Sequence, residues 1–173
     1  MNAKGLLLEK IKDGTFALLT DTEISKKLRL NKQEAYAVRD KLHALCREGE
    51  LLRDSRYRFG TAEQFGATVG TISGNERGFA FFMPDGGGED LFIPRRFVNG
   101  ALHGDKVLAI RRSNRIEDDE GEILAVISRG YGEIVGTFYP DHKGGYLHPD
   151  EKKFCADIYI PAGKTKNCKN GAK

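Results

Sequence analysis

One passage of this chain occurs twice. "VGTI…RGFAFFMPD…DLFIP" starts at Val69, and "VGTF…KGGYLHPD…DIYIP" starts at Val135. The Val-Gly-Thr triplets lie 66 residues apart, the Pro-Asp pairs 65 and the Ile-Pro pairs 67. A near-constant offset between matching segments is the signature of a duplicated structural unit. "NGA" at Asn99 to Ala101 recurs at Asn170 to Ala172 and extends the match. Two more strand-like runs follow the first "NGA", whereas the second is followed only by Lys173. The second unit is therefore expected to lack its last two strands, as in a C-terminally truncated chain, leaving strand edges and part of a core open.

Within the first copy, short apolar runs alternate with turn residues. "TVGTI" (Thr68 to Ile72), "GFAFF" (Gly78 to Phe82), "DLFIP" (Asp90 to Pro94), "KVLAIR" (Lys106 to Arg111) and "EILAVIS" (Glu122 to Ser128) are five candidate strands. Five short strands in so few residues predict a small closed β-barrel. Gly86, Gly87 and Gly88 lack the Lys-Ser/Thr and the following helix of a phosphate loop, so they read as a strand connection. The acidic run Glu117 to Glu122 reads as a solvated turn between the last two strands.

Side chains alternate between the two faces of a strand. Ala80 and Phe82 then face inward with Leu91 and Ile93, and Phe79, Phe81 and Phe92 face outward together. Arg77, Arg95 and Arg96 flank them. Leaving a ring in water forgoes about 1.5–3 kcal/mol relative to burying it. Stacking a nucleobase on it returns about 1–3 kcal/mol. A single-stranded nucleic acid would therefore make the outward cluster worthwhile, with arginines meeting phosphates. A protein-docking face is the competing explanation.

The first 60 residues have a different texture, with 13 basic and 9 acidic side chains. Leu7, Leu8 and Ile11 give a short helix one apolar face. Thr20 with Glu23, and Asn31 with Glu34, have capping-box spacing before two further helices. The third carries Ala35, Val38, Leu42 and Leu45 and stops at Gly49. "LLRDSRYRF", Leu51 to Phe59, predicts a hairpin around Asp54 and Ser55. Three helices and a hairpin suggest a winged helix-turn-helix. Arg39, His43 and Arg47 recur every four residues on its third helix, as candidate contacts to nucleic acid.

Composition narrows the class. The chain is 39% apolar and 31% charged, as in water-soluble domains. No run is long and apolar enough to cross a membrane and no secretory signal is evident, so a cytoplasmic protein without membrane contact is expected. Cys46, Cys155 and Cys168 have no paired spacing, so neither a disulfide framework nor a metal site is expected.

"GTISGNERGFAFFMPDGGGEDLFIP" resembles a cold-shock domain, a five-stranded OB-type barrel, with "RGFAFF" and "DLFIP" in the places of its two RNA-binding motifs. Ile72 stands where many such domains have tryptophan, and Pro94 where histidine is frequent. The resemblance implies stacking roles for Phe79, Phe81 and Phe92, with Arg77 as the basic contact. In the second copy Tyr146, Tyr159 and Lys143 take corresponding places, and Gly145 or a one-residue gap replaces the first phenylalanine.

A winged helix over residues 1–62, a cold-shock domain over 63–130 and a truncated second one over 131–173 together resemble the N-terminal region of ribonuclease R-type exoribonucleases, in the ribonuclease II family. "HGDKVLAI" and "IVGTFYPD" also look like that family. The expected fold class is thus α+β multidomain. The resemblance implies gathering of single-stranded RNA for 3′-5′ hydrolysis by a separate domain holding Mg²⁺ on aspartates. This chain is expected to carry no catalytic residues and no cofactor of its own. A non-enzymatic cold-shock RNA chaperone, or a winged-helix regulator touching duplex nucleic acid or protein, fits the same residues.

Overall fold

A computed structural model of the chain describes residues 3–112, 120–154 and 157–173. It divides into two compact units, Met1–Thr68 with Leu108–Ile110, and Val69–Val107 with Arg111–Lys173.

The first unit is helical with a small sheet. Helix α1 spans Ala3–Lys12, strand β1 Leu19–Thr20, α2 Asp21–Lys27, α3 Lys32–Arg47, β2 Leu52–Arg53, β3 Arg58–Gly60 and α4 Ala62–Phe65. Both expected capping boxes form: Thr20 with Glu23 opens α2, and Asn31 with Glu34 opens α3. Each satisfies two orphan donors at a helix start. Gly49, at φ 76°, follows the α3 C-cap in the left-handed conformation that lets the chain leave the helix. Asn31→Ala should cost about 1 kcal/mol, read as a lower midpoint in urea unfolding.

The apolar stripes meet in one core: Leu7 and Ile11 of α1, Phe16, Ile24 of α2, Leu42 and Leu45 of α3, Leu51, and Phe59 of β3. The expected hairpin is pinned by buried Asp54. Its Oδ1 accepts from the backbone N–H groups of Arg56 (3.0 Å) and Arg58 (2.9 Å), and its Oδ2 lies 2.6 Å from the Arg58 guanidinium. Two elements were absent from the sequence reading. Strand β1 exists only by pairing, Leu19 with Phe59 and Thr20 with Arg58. Helix α4 is a single turn closed by its own capping box, Thr61 with Gln64, and by Gly66 at φ 63°.

The second unit contains two sheets. Strands β4 (Thr68–Gly74), β5 (Ala80–Pro84), β6 (Leu91–Ile93), β7 (Lys106–Arg111) and β8 (Gly121–Ser128) lie in the order β6-β5-β4-β7-β8. The sheet curls until its edges meet at a parallel bridge between Phe92 and Glu120. A curled antiparallel sheet with this closure is consistent with an OB-fold. Ala80, Phe82, Leu91, Ile93 and Val107 fill its interior.

The acidic run departs from the expectation of a solvated turn. Residues 117–119 lie outside the described residues, as does Cys155. Glu122, however, belongs to β8 and is fully buried, with its carboxylate paired to Arg112. The Arg112 guanidinium sits 4.2 Å over the Phe97 ring. A packed cation, not the composition of the run, decides where this acid goes.

Strands β9 (Gly136–Asp141), β10 (Gly144–Pro149) and β11 (Ile158–Pro161) form a separate antiparallel sheet, ordered β11-β10-β9. Its register copies the first: Gly136 faces Pro149 as Gly70 faces Pro84, and Tyr146 faces Tyr159 as Phe81 faces Phe92. Register also corrects two details of the repeat. Gly145 pairs with Ile160 as Ala80 pairs with Ile93, so it replaces the inward alanine, and Gly144 falls in the place of Phe79. A Cβ on Gly145 would come 2.3 Å from the Phe138 ring, so the ring already occupies that volume.

The two "NGA" triplets are not equivalent. Gly171 donates to the Phe138 carbonyl and Ala172 accepts from the Phe138 N–H, as Gly104 and Asp105 do with Ile72. Lys173 pairs with Asp150 as Lys106 pairs with Asp85. "NGAK" (Asn170 to Lys173) therefore corresponds to "HGDK" (His103 to Lys106), and Lys173 stands where β7 begins in the first copy.

Candidate nucleic-acid interface

The tight turn before β5 delivers the first ring. Asn75 donates its backbone N–H to the Phe79 carbonyl at 3.0 Å, and its side chain accepts from the Arg77 N–H at 3.0 Å. Gly78 takes φ 91°, and a Cβ there would come 2.9 Å from Cδ of Arg95, whose side chain packs across the turn. Strand alternation then separates the phenylalanines. Ala80 and Phe82 are 0% and 1% exposed, while Phe81 and Phe92 are 40% and 37% exposed.

Phe79, Phe81 and Phe92 form one cluster. Ring centroids are 5.7 Å apart for Phe79 and Phe81, 5.4 Å for Phe79 and Phe92, and 5.9 Å for Phe81 and Phe92. Edge-on and tilted packing holds the rings against one another and leaves faces open. Met83 continues the outward row on β5. Arg77 and Arg95 are exposed beside the cluster. Arg96 is engaged elsewhere: it lies 2.6 Å from Glu120 and stacks 4.6 Å over Phe97.

On the second sheet, Tyr146 and Tyr159 lie 5.4 Å apart, and the Tyr159 hydroxyl donates to the Lys143 carbonyl at 2.6 Å. The Lys143 side chain is exposed. Tyr139 completes the row, since Tyr146 faces it across the β9–β10 pair, and all three tyrosines are exposed. Sequence comparison of the copies missed Tyr139, because Ser73 holds that register position in the first sheet. The alternation of "GTFYP", with Phe138 buried, was the available signal.

A further aromatic group is formed by His103, Tyr131 and Phe154, with ring centroids 6.0 Å, 6.1 Å and 5.3 Å apart. His103 Nδ1 accepts from the Gly74 N–H at 3.4 Å, and burial pushes the imidazole below its ordinary pKa. In the first unit, Arg39, His43 and Arg47 line one concavity on α3 with Tyr36 and Asp40. His43 also packs edge-on against Phe59 at 5.9 Å.

Among the described residues no group of three or more His, Cys, Asp or Glu side chains could hold a metal ion. No helix among them is long and apolar enough to cross a membrane.

A curled five-stranded sheet with an outward aromatic cluster defines an OB-type domain. Residues 70–126 match the family model of the ribonuclease B OB domain. Ribonuclease R of Acidithiobacillus ferrooxidans is 30% identical over 156 residues, which cover 88% of this chain and 35% of that protein. Ribonuclease R of Escherichia coli (strain K12) is 26% identical over 151 residues, covering 86% and 19%. That of Thermotoga maritima is 30% identical over 141 residues, covering 80% and 19%. Over most of its own length this chain is thus similar to ribonuclease R, and it spans between about a fifth and a third of these relatives' lengths. A solved structure of yeast Ssd1, described as a pseudonuclease, overlaps 56% of this chain and 18% of that one, at 21% identity and a TM-score of 0.43.

Proposed function

We propose that this chain is the RNA-gathering segment of a ribonuclease R-like 3′-5′ exoribonuclease, and that it binds single-stranded RNA without cleaving it. One observation carries this: three touching rings, Phe79, Phe81 and Phe92, gather on the outer face of a sheet of OB type, with Phe81 and Phe92 exposed and Phe79 half-buried beside them. Every base has a face to stack, so such a platform takes RNA with little sequence preference. Arg77 and Arg95 meet phosphates; Arg96 contributes less, because Glu120 already neutralises it. Tyr139, Tyr146 and Tyr159, with Lys143, form a second and more polar platform. The first unit is a winged helix, and the two sheets are a cold-shock barrel and part of another. Hydrolysis, with its Mg²⁺, is assigned to a separate domain and not to these sheets.

Fluorescence anisotropy with labelled oligouridine tests this. Saturable binding that weakens with added salt, with the oligonucleotide left intact, is the expected result. Failure to bind at low salt overturns it.

A further inference from the structure

We infer that the first unit carries a docking groove for an acidic amphipathic helix of another protein. This goes beyond RNA binding by the sheets and does not rest on it. The groove has a volume of about 390 Å³ and is lined by α1, α3 and the segments that follow α1 and α2. Of its apolar side chains, Leu7 and Phe16 belong to the buried core of this unit, and Leu30 and Val38 are half-buried. Leu6 and Leu28 are each 43% exposed. The core is thus continuous with an apolar concavity open to water, which gains stability when a partner covers it.

Charge selects the partner. The charged side chains of the lining are Lys10 on α1 and Lys41 on α3, and no acid is among the described residues that form it. Lys10 lies 3.2 Å from Asp13, an exposed pair that water screens. Lys26, Lys27 and Arg29 are exposed in the chain segment that carries Leu28 and Leu30. Leucines with a lysine on each of two facing helices are complementary to an apolar stripe flanked by carboxylates. A second copy of this chain fits poorly, because a two-fold contact through this patch would set the same lysines against one another. A membrane surface offers no ridge to enter a concavity. Phe16, the ring of the lining, is buried, so unstacked bases find no platform.

The backbone of the occupant decides its conformation. The sheet of this unit, ordered β1-β3-β2, contributes no residue to the lining. An extended peptide would find no strand edge there, and its N–H and C=O groups would lie unpaired against leucine. A helix satisfies its own backbone and presents an apolar stripe at the spacing a groove reads. The groove is also separate from the row of Arg39, His43 and Arg47. Lys41 and Arg39 are two residues apart, so roughly 160° separates them around α3.

The test uses the full chain and three labelled peptides of about 14 residues, a length at which an isolated helix is marginal in water. The first carries leucines at i, i+3, i+4 and i+7 with glutamates beside them. The second has lysine for every glutamate, and the third is a scramble of the first. Anisotropy should show saturable binding of the acidic peptide and at least roughly tenfold weaker binding of the other two. Circular dichroism of the mixture should show more helix than its parts alone. Leu28→Glu, at an exposed position, should weaken the acidic peptide at least roughly tenfold. Lys41→Glu should weaken the acidic peptide and strengthen the basic one, and oligouridine affinity should stay unchanged in both variants. The inference is overturned if the acidic peptide binds no better than its scramble or the basic peptide, or if Lys41→Glu leaves the preference for acid unchanged. It is equally overturned if sedimentation shows a dimer that Leu28→Glu abolishes, since the occupant is then a second copy. Retention on phosphatidylglycerol vesicles that Leu28→Glu abolishes makes the patch a membrane contact and overturns it too.

Discussion

Phe81→Ala weakens binding of oligouridine by roughly five- to a hundredfold, since base-aromatic stacking is worth about 1–3 kcal/mol per base. Phe81 is the position to choose because it is the most exposed of the three rings and touches both others, Phe79 at 5.7 Å and Phe92 at 5.9 Å. Its removal takes away one stacking surface and loosens two more. The fold should survive, because the ring is 40% exposed and the core on this strand is Ala80 and Phe82. Met83, the next outward residue, is the control. It is similarly exposed but offers no ring, so Met83→Ala should change affinity by much less. Anisotropy titrations of the two variants, with far-UV circular dichroism for folding, separate the cases. Equal affinity for Phe81→Ala and the parent would contradict the stacking role.

Glu122→Ala should be the most damaging single change to the barrel's stability, at about 3–5 kcal/mol. Its carboxylate is fully buried and paired with Arg112, whose own side chain is only 15% exposed. Removing one partner of a buried pair leaves the other charge desolvated, with less to offset that cost. Arg112 cannot simply swing into water without leaving the Phe97 ring, 4.2 Å away. Urea unfolding, read by hydrogen exchange at the β6 and β8 amides, should show a clearly lower midpoint. Unchanged protection of those amides would contradict this account of the pair.

Some of this was legible in the sequence because it depends on local period or local chemistry. The split of Phe79, Phe81 and Phe92 from Ala80 and Phe82 follows from alternation alone. The starts of α2 and α3 follow from side chains that reach back to their own helix ends. Other features depend on neighbours distant in the chain. Leu19 and Thr20 are a strand only because Phe59 and Arg58 pair with them. Glu122 resembled its acidic companions until Arg112 gave it a buried partner.

The repeat shows the same limit. Identical letters at Asn99 and Asn170 suggested equivalence, but backbone conformation sets the true correspondence. Asn99 and Gly100, at φ 49° and 77°, match Lys166 and Asn167, at φ 48° and 59°. Gly104 at φ 82° likewise matches Gly171 at φ 78°. Turn geometry was kept in the second copy while its residues changed. For the same reason Tyr139 escaped notice: it supplies its ring from a different strand than any phenylalanine of the first cluster.

Photocrosslinking tests the central claim most directly. An oligouridine carrying 4-thiouridine is bound to the intact chain, irradiated, and the crosslinked peptides are mapped by mass spectrometry. Crosslinks to Phe79, Phe81 or Phe92, with fewer to Tyr139, Tyr146 or Tyr159, are the predicted result. Efficient crosslinking that bypasses all six rings would contradict it.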